Sequence, residues 1–202
     1  MAFWTEGGGA RDPKRNFRFK VEINGFDQRP EAGAANTEGS STVWWAKKVQ
    51  KPNFTIAESK HVFLGHTYYW PGKLEWQEIS LTLVDPVSPD ATAILNRIVE
   101  QSGYQQPLPT DGGMITQSKK KTKDALVSIR IIQIDSDDNE VESWTLNHPF
   151  IKKISYSDLD YENDELTTID LTIRYDWAEC KTHGVAKSFF TTAGPAIPKT
   201  SN

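Results

Sequence analysis

The sequence predicts a mainly β protein, an antiparallel sandwich or barrel with one flanking α-helix. Three observations indicate this class. Several short runs alternate between apolar and polar residues, turn residues separate these runs, and only one segment carries an apolar stripe with helical spacing. With 202 residues, the chain has room for one domain with a substantial core.

Seven or eight strands are predicted. The clearest are 16–23, where apolar and polar residues alternate strictly, and 166–177, where they alternate from Thr168 onward. In 16–23, Phe17, Phe19, Val21 and Ile23 are expected to face the core. The other predicted strands are 43–51, 54–63, 74–84 with a bulge near Gln77, 125–134, 141–146 and 151–159. The aromatic segment 68–72 is predicted to be a turn.

One helix is predicted over 89–102. Ser88 is a suitable N-cap, Pro89 suits the first helical position, and Gly103 suits the left-handed residue that follows a helix. The segment 24–42, which is poor in large residues, and the basic segment that ends at 119–123 are expected to be loops.

The composition limits the function classes. The net charge is −4 and the pI is about 5.6, which argues against binding nucleic acid mainly through phosphate neutralisation. Cys180 is the single cysteine, so an internal disulfide is impossible. We find neither a signal-peptide pattern nor a run of about 20 apolar residues, and we expect a cytoplasmic chain with no membrane partner.

No catalytic residue, metal ligand or cofactor is predicted, and we expect the chain not to be an enzyme. The acidic segments 135–138 and 158–164 match a calcium loop only in part, and hairpin tips are the favoured interpretation. Cys180 and His183 lack a second ligand pair at zinc spacing.

The tryptophans suggest a partner surface. Adjacent strand residues point to opposite faces, so Trp44 and Trp45 cannot both face one core, and Trp70 lies in the predicted turn. Exposed aromatic side chains favour contact with a partner. Two alternatives are that both faces are covered within one molecule, or that Trp44, Trp45 and Trp70 stack on sugars in a carbohydrate-binding module.

The order of several segments carries a resemblance to a known family. They are the strand 16–23, a segment that ends at 47–52, the stretch 70–85 from Trp-Pro-Gly into a strand, one helix, and then 144–158 and 164–177. Within the last two, 146–151 with the sequence Leu-Asn-His-Pro-Phe-Ile and the closing strand 166–177 look most like that family. Over residues 16–178 the sequence resembles the tail tube proteins of contractile-tailed (T-even-like) bacteriophages. The chain then divides into a flexible N-terminal arm (1–15), a tail tube-like β domain (16–178) and a C-terminal extension (179–202).

The resemblance implies a structural role in a phage tail. Six copies would form a ring whose strands join into a β-barrel, and stacked rings would form the inner tube, which conducts DNA or effectors during ejection. The implied partners are other copies, the tail sheath protein, and baseplate and tail terminator proteins, with DNA passing through the lumen without specific binding. The location would be the virion, after assembly in the host cytoplasm. A baseplate-proximal tube protein and the inner tube of a phage-derived contractile injection system remain alternatives.

Two groups of residues are candidates for this role. Polar strand positions could line a neutral-to-negative lumen, and these are Glu78, Ser80, Thr82, Thr168, Asp170 and Thr172. Candidates for contact between subunits are Trp44, Trp45, Lys47, Lys48 and Trp70.

Overall fold

The computed structural model describes residues 13–24, 42–43, 45–87, 90–105, 116–162, 164–183 and 187–191. The described chain is mainly antiparallel β-structure, in three sheets, with two helices. The predicted fold class is therefore confirmed, although the structure contains a second helix that the sequence did not predict.

The elements follow one another along the whole described chain. The strands are β1 (Phe19–Asn24), β2 (Thr42–Val43), β3 (Ala46–Val49), β4 (Phe54–Phe63), β5 (His66–Trp76), β6 (Ile79–Val84), β7 (Ser128–Ile134), β8 (Glu140–Asn147), β9 (Phe150–Tyr156), β10 (Thr168–Arg174), β11 (Trp177–Thr182) and β12 (Lys187–Phe189). The helices are α1 (Ala91–Gln101) and α2 (Lys119–Ala125).

The strands form one large sheet, one small sheet and a separate hairpin. The six-stranded sheet has the order β12-β11-β8-β7-β1-β2, and the four-stranded sheet has the order β3-β6-β10-β9. Strands β4 and β5 pair only with each other among the described strands, and we call them the long hairpin.

A single core joins both larger sheets and α1. Alternate residues of β1, β6 and β10 are buried, as a sheet with one covered face requires. Val21 and Ile129 belong to the six-stranded sheet, Leu81 and Leu171 belong to the four-stranded sheet, and Leu95 belongs to α1, and all five lie in one cluster. This core leaves the other face of the four-stranded sheet uncovered.

Helix α1 lies within the predicted range. Its N-cap is Asp90, whose Oδ1 accepts a hydrogen bond of 2.9 Å from the backbone N–H of Ala93. The predicted cap Ser88 and Pro89 lie outside the described residues. Gly103 follows the helix with φ of +99°, as its position predicted.

Helix α2 corrects the prediction of a loop at the lysine-rich segment. Ser118 caps this helix, because its Oγ accepts from the backbone N–H of Lys121 at 3.3 Å. Lys119 forms a salt bridge of 2.6 Å with Asp176, and Ala125 is buried. The helix thus depends on its cap and on tertiary contacts, since its sequence has no apolar stripe.

One predicted turn and one predicted strand differ from the structure. The aromatic segment 68–72 is part of β5, and the hairpin turn lies at Leu64 and Gly65, both with positive φ. The predicted strand 74–84 is divided, because β5 ends at Trp76 and β6 begins at Ile79. The backbone N–H of Gln77 donates instead to the carbonyl of Asn53, at 2.9 Å.

The ends of the β domain also differ from the prediction. The predicted strand 166–177 covers β10 and the first residue of β11, which belong to different sheets, and the predicted domain boundary after residue 178 lies inside β11. Phe17 is 75% exposed and not in the core.

At the predicted N-terminal arm, Lys14 forms a salt bridge with Glu142. Most of the predicted 24–42 loop lies outside the described residues.

Candidate functional site

The uncovered face of the four-stranded sheet can be read from the strand register. Ile79, Leu81 and Leu83 of β6 are buried, so the residues between them point away from the core. Residues that lie directly opposite on neighbouring antiparallel strands point to the same side. We call this surface the open face. Its polar residues are Lys48, Gln50, Glu78, Ser80, Thr82, Lys152, Lys153, Ser155, Thr168, Asp170, Thr172 and Arg174, and the apolar Val84 and Phe150 lie at its margins.

One row of the open face crosses all four strands. Lys48 of β3 lies opposite Thr82 of β6, Thr82 lies opposite Asp170 of β10, and Asp170 lies opposite Ser155 of β9. The Thr82 hydroxyl donates to Oδ1 of Asp170 at 2.6 Å. The Asp170 carboxylate is thus held by its neighbour on the same face.

A second row is neutral except at one end. Ser80 lies opposite Thr172, and Thr172 lies opposite Lys153. The Ser80 hydroxyl also donates to the side-chain oxygen of Gln50, at 3.4 Å.

At one end of the sheet two cations share one carboxylate. Glu78 pairs with Lys152, and Nη1 of Arg174 lies 3.9 Å from the same carboxylate. Lys152 occupies an irregularity in the β9–β10 register, between Ile151 and Lys153. This bulge brings two successive lysines to the open face.

The structure therefore brings together the six residues predicted to line a lumen. Ser80, Thr82, Thr168, Asp170 and Thr172 occupy registered positions on the open face, and Glu78 joins them through its ion pairs. That this face lines a lumen stays a prediction. Sequence reasoning missed Lys152 and Lys153, because register and a bulge place them there. The alternation of β10 already placed Arg174 on the same side as Thr172, although Arg174 was not among the lumen candidates.

The four-stranded sheet has two free edges among the described strands. β3 pairs only with β6, and β9 pairs only with β10. The backbone N–H of Ser157 donates to the carbonyl of Thr168 at 3.0 Å, so it points toward β10. Because N–H directions alternate along a strand, the N–H of Tyr156 points to the free edge.

The long hairpin is exposed along nearly its whole length. Every described side chain from Phe54 to Glu75 is exposed, and Trp76 is half-buried. The register places Ser59, His61, Phe63, His66, Tyr68 and Trp70 on one face. We call this the aromatic face. The ring of Trp70 lies 6.1 Å from that of Tyr68 and 6.3 Å from that of His61.

Aromatic contacts attach the base of the long hairpin to the core. The ring of Trp76 lies 5.2 Å from Phe54, 5.4 Å from Phe190 and 5.9 Å from Tyr175. Tyr175 is buried and belongs to the core cluster. The hairpin is therefore fixed at its base and uncovered beyond it.

The residues predicted to contact other subunits do not form one patch. Trp70 lies on the aromatic face and is 50% exposed, whereas Lys48 lies on the open face. Trp45 is 64% exposed, and Lys47 lines a groove with Asp158 and other residues at the end of β9 and the start of β10. Trp44 lies outside the described residues. Their role in contact stays a prediction.

The acidic turn at the end of β7 has a structural explanation. Oδ1 of Asp135 accepts hydrogen bonds from the backbone N–H groups of Asp137 and Asn139, and the Asn139 side chain adds a third bond to the carboxylate. These bonds lower the pKa of Asp135.

Within the described chain, no three His, Cys, Asp or Glu side chains converge as a metal site would require. No helix in the described ranges is long and apolar enough to cross a membrane.

The fold resembles solved structures, although the sequence itself matches no known family. No family model matches the sequence, and no curated protein matches it. Solved structures do match. A chain in the cryo-EM structure of the anti-feeding prophage (AFP) baseplate aligns with a TM-score of 0.60 and 15% identity, over 85% of this chain and 97% of that chain.

Two further solved structures also align over most of this chain at low sequence identity. The PVC sheath/tube terminator of an extracellular contractile injection system aligns with a TM-score of 0.56 and 11% identity, over 86% of this chain and 100% of the other. A crystal structure of Hcp protein aligns with a TM-score of 0.50 and 12% identity, over 85% and 97%. The chain has a tail tube-like fold. This tail tube-like fold is shared with injection systems and does not single out the T-even-like phages that the sequence resembles.

Proposed function

We propose that this chain is a structural subunit of the inner tube of a contractile injection system, in which six copies form a ring and rings stack into a hollow tube. The observation that carries the proposal is the four-stranded sheet with two free edges, β3 and β9. Free edges invite pairing with another chain, and closure into a barrel removes them. Edge β9 of one copy would pair with edge β3 of the next.

The size of such a barrel follows from strand geometry. Neighbouring strands lie about 4.8 Å apart, so six copies of the four-stranded sheet would give a circumference of about 115 Å and a backbone diameter of about 37 Å. Strand tilt enlarges this diameter. The core side of each sheet faces outward in this arrangement, and the open face lines the bore.

The long hairpin supplies a second contact in this proposal. The hairpin exposes Phe63, Tyr68 and Trp70. Covering these side chains against another molecule would remove apolar surface from water, which lowers the free energy of the assembly. It projects beyond the core, so it is placed to reach a neighbouring ring. We assign the aromatic face to contact between stacked rings.

The titles of the similar structures support the same role. One is a baseplate symmetrised sixfold, one is a sheath/tube terminator, and another is a sheath-tube complex in the extended state. We therefore propose a sheath protein, and baseplate and terminator proteins, as partners of this chain. In this proposal the tube is assembled in the cytoplasm of the producing cell, and a phage tail tube remains the alternative setting.

Two variants of Tyr156 test the edge pairing. Tyr156→Pro removes a backbone N–H that points to the free edge and leaves the bonds from β9 to β10 in place. Tyr156→Ala is the matched control, because it removes the same side chain, including its hydrogen bond to Asn96, and keeps the N–H. Light scattering after size exclusion and negative-stain microscopy measure the assembly state of each.

Wild-type protein and Tyr156→Ala are expected to form sixfold rings or tubes, and Tyr156→Pro is expected to stay monomeric with an unchanged circular dichroism spectrum. Rings of Tyr156→Pro equal to those of the control would show that β9 is not the joint. A wild-type protein that stays monomeric and binds glycans would favour the carbohydrate-binding alternative instead.

A further inference from the structure

The aromatic face of the long hairpin carries two imidazole groups. His61 of β4 lies opposite Tyr68 of β5, and Phe63 of β4 lies opposite His66, so the two histidines are diagonal neighbours that point to the same side. Both side chains are exposed. The surrounding rings of Phe63, Tyr68 and Trp70 are 49–58% exposed. Two groups of the kind that titrates near neutral pH therefore lie within one exposed aromatic patch.

The charged residues of the hairpin lie away from these imidazoles. Glu58 and Lys60 alternate to the opposite face. Lys73 and Glu75 lie toward the base of the hairpin, in and beyond the irregularity of the β4–β5 register. The aromatic face itself adds only the phenol of Tyr68 as a further titratable group, and a phenol stays neutral in neutral and acidic solution.

The other two histidines of the chain differ because they have carboxylate partners. Nδ1 of His148 lies 3.1 Å from the Asp176 carboxylate, and Nε2 of His183 lies 3.3 Å from that of Glu140. Protonation of those two rings completes an ion pair. Neither imidazole of the aromatic face has such a partner among the described residues. Protonation there adds two neighbouring positive charges that nothing in the described chain compensates.

We propose that the aromatic face is a pH switch, in which neutral imidazoles allow rings to stack and protonated imidazoles keep them apart. The inference rests on the proposed function, which assigns this face to contact between stacked rings. Covering the face takes His61 and His66 out of water together with their aromatic neighbours, and a charge that leaves water without a partner is costly. The stack therefore favours the neutral form, and stacking releases the protons that the free face holds.

The switch acts on stacking and not on the ring itself. Strands β3 (Ala46–Val49) and β9 (Phe150–Tyr156), whose edges form the proposed joint within a ring, contain no histidine. Carboxylates ordinarily titrate near pH 4, well below the range in which imidazoles change charge. Mild acid is therefore expected to separate the rings without opening them.

The test uses the full-length protein at about pH 8 and at about pH 5.5, on either side of the imidazole range. Light scattering gives the concentration threshold for tube growth, and microscopy distinguishes tubes from single rings. The test variant is His61→Gln combined with His66→Gln, which stays neutral at both pH values. The matched control is His148→Asn combined with His183→Gln, which removes the other two histidines and keeps an amide donor for each carboxylate. A second readout is the proton release during tube growth in weakly buffered solution at about pH 6.

Wild type and control are expected to need about tenfold or more protein for tube growth at the acidic pH, with single rings still present. The threshold of the His61/His66 variant is expected to change less than about twofold, and its tube growth should release fewer protons. If glutamine at these positions prevents stacking at both pH values, His61→Phe with His66→Phe replaces it with the same expectation. If neither variant stacks, the wild type alone decides, and stacking without proton release would refute the switch.

The outcomes separate the switch from the tube proposal. A wild-type threshold that is equal at the two pH values, or an equal pH dependence in variant and control, would overturn the switch and leave the tube proposal intact. A threshold that falls in acid would also overturn it, because a carboxylate of the next ring would then face the imidazoles. Acid that dissolves rings together with tubes would place the pH dependence elsewhere. Wild-type protein that forms neither rings nor tubes at about pH 8 would overturn the tube proposal and this inference with it.

Discussion

The ammonium group of Lys51 lies 2.7 Å from Oε1 of Glu142. Lys51 follows β3 of the four-stranded sheet, and Glu142 belongs to β8 of the six-stranded sheet, so one ion pair ties the two layers together. Glu142 also pairs with Lys14 and accepts a hydrogen bond of 2.6 Å from the indole N–H of Trp144. Its side chain is 11% exposed. This carboxylate therefore holds the N-terminal segment and both sheets at one point.

Replacing Glu142 by Gln should destabilise the protein. Burial raises the pKa of Glu142, but the bonds from Lys14, Lys51 and Trp144 outweigh it and lower the pKa from 4.5 to about 2. That shift corresponds to at most about 3.5 kcal/mol of unfolding free energy at neutral pH. Urea unfolding at pH 7 measures the loss. Glu140→Gln, a more exposed carboxylate on the same strand, is the control and should cost less than about 1 kcal/mol.

The same carboxylate predicts a pH dependence. A group whose folded pKa is depressed stabilises the fold above its unfolded pKa, and this contribution is lost as the pH falls through the folded value. The difference in unfolding free energy between wild type and Glu142→Gln should therefore be constant above about pH 5 and shrink between about pH 4.5 and pH 2. Urea titrations at several pH values give this difference. The other carboxylates titrate equally in the two proteins, so their contributions to the unfolding free energy cancel. A difference that stays constant down to pH 2 would contradict the role of Glu142.

The core could be predicted from the sequence because it depends on a local signal. Alternation in 79–84 and 168–174 identified Ile79, Leu81 and Leu171, which are buried, and identified the polar residues that share the open face. Period two is a property of each strand alone, so it needs no knowledge of the pairing.

Features that depend on pairing or on exposure could not be predicted. Ile56 and Val62 have the pattern of core positions, yet they are exposed on the long hairpin. The sequence pattern of an apolar strand residue is the same whether it is buried by its own chain or by another molecule. Lys153 reached the open face only through the bulge and register of β9. Helix α2 carries four lysines in seven residues, so its stability comes from contacts such as Lys119 with Asp176.

Gly72 should be required for the shape of the long hairpin. A Cβ atom at this position would lie 2.9 Å from the carbonyl oxygen of Ala57, next to the irregularity in the β4–β5 register. Gly72→Ala must therefore displace backbone, and we expect a local cost of about 1–3 kcal/mol. Hydrogen exchange within 54–76 should become faster by about tenfold, while the core strands keep their protection. Thr67→Ala, on the same hairpin, is the control, and equal exchange in the two variants would refute the expectation.

Trp70 should matter for stacking rings and not for folding the subunit. Its ring is half exposed and contacts only the neighbouring rings of His61 and Tyr68 among the aromatic contacts of the described chain, so Trp70→Ala should leave the thermal midpoint nearly unchanged. A central aromatic anchor commonly contributes about 2 kcal/mol or more to an interface. The concentration needed for tube growth should therefore rise by about tenfold or more, with single rings still present.

Light scattering against protein concentration measures this threshold, and microscopy distinguishes single rings from tubes. Tyr161→Ala is the matched control, because Tyr161 is a fully exposed aromatic residue at the tip between β9 and β10. If both variants raise the threshold equally, loss of any exposed aromatic would explain the effect. If Trp70→Ala grows tubes at the wild-type threshold, the aromatic face is not the contact between rings. Loss of single rings as well as tubes in Trp70→Ala would instead place this face in the joint between neighbouring subunits of one ring.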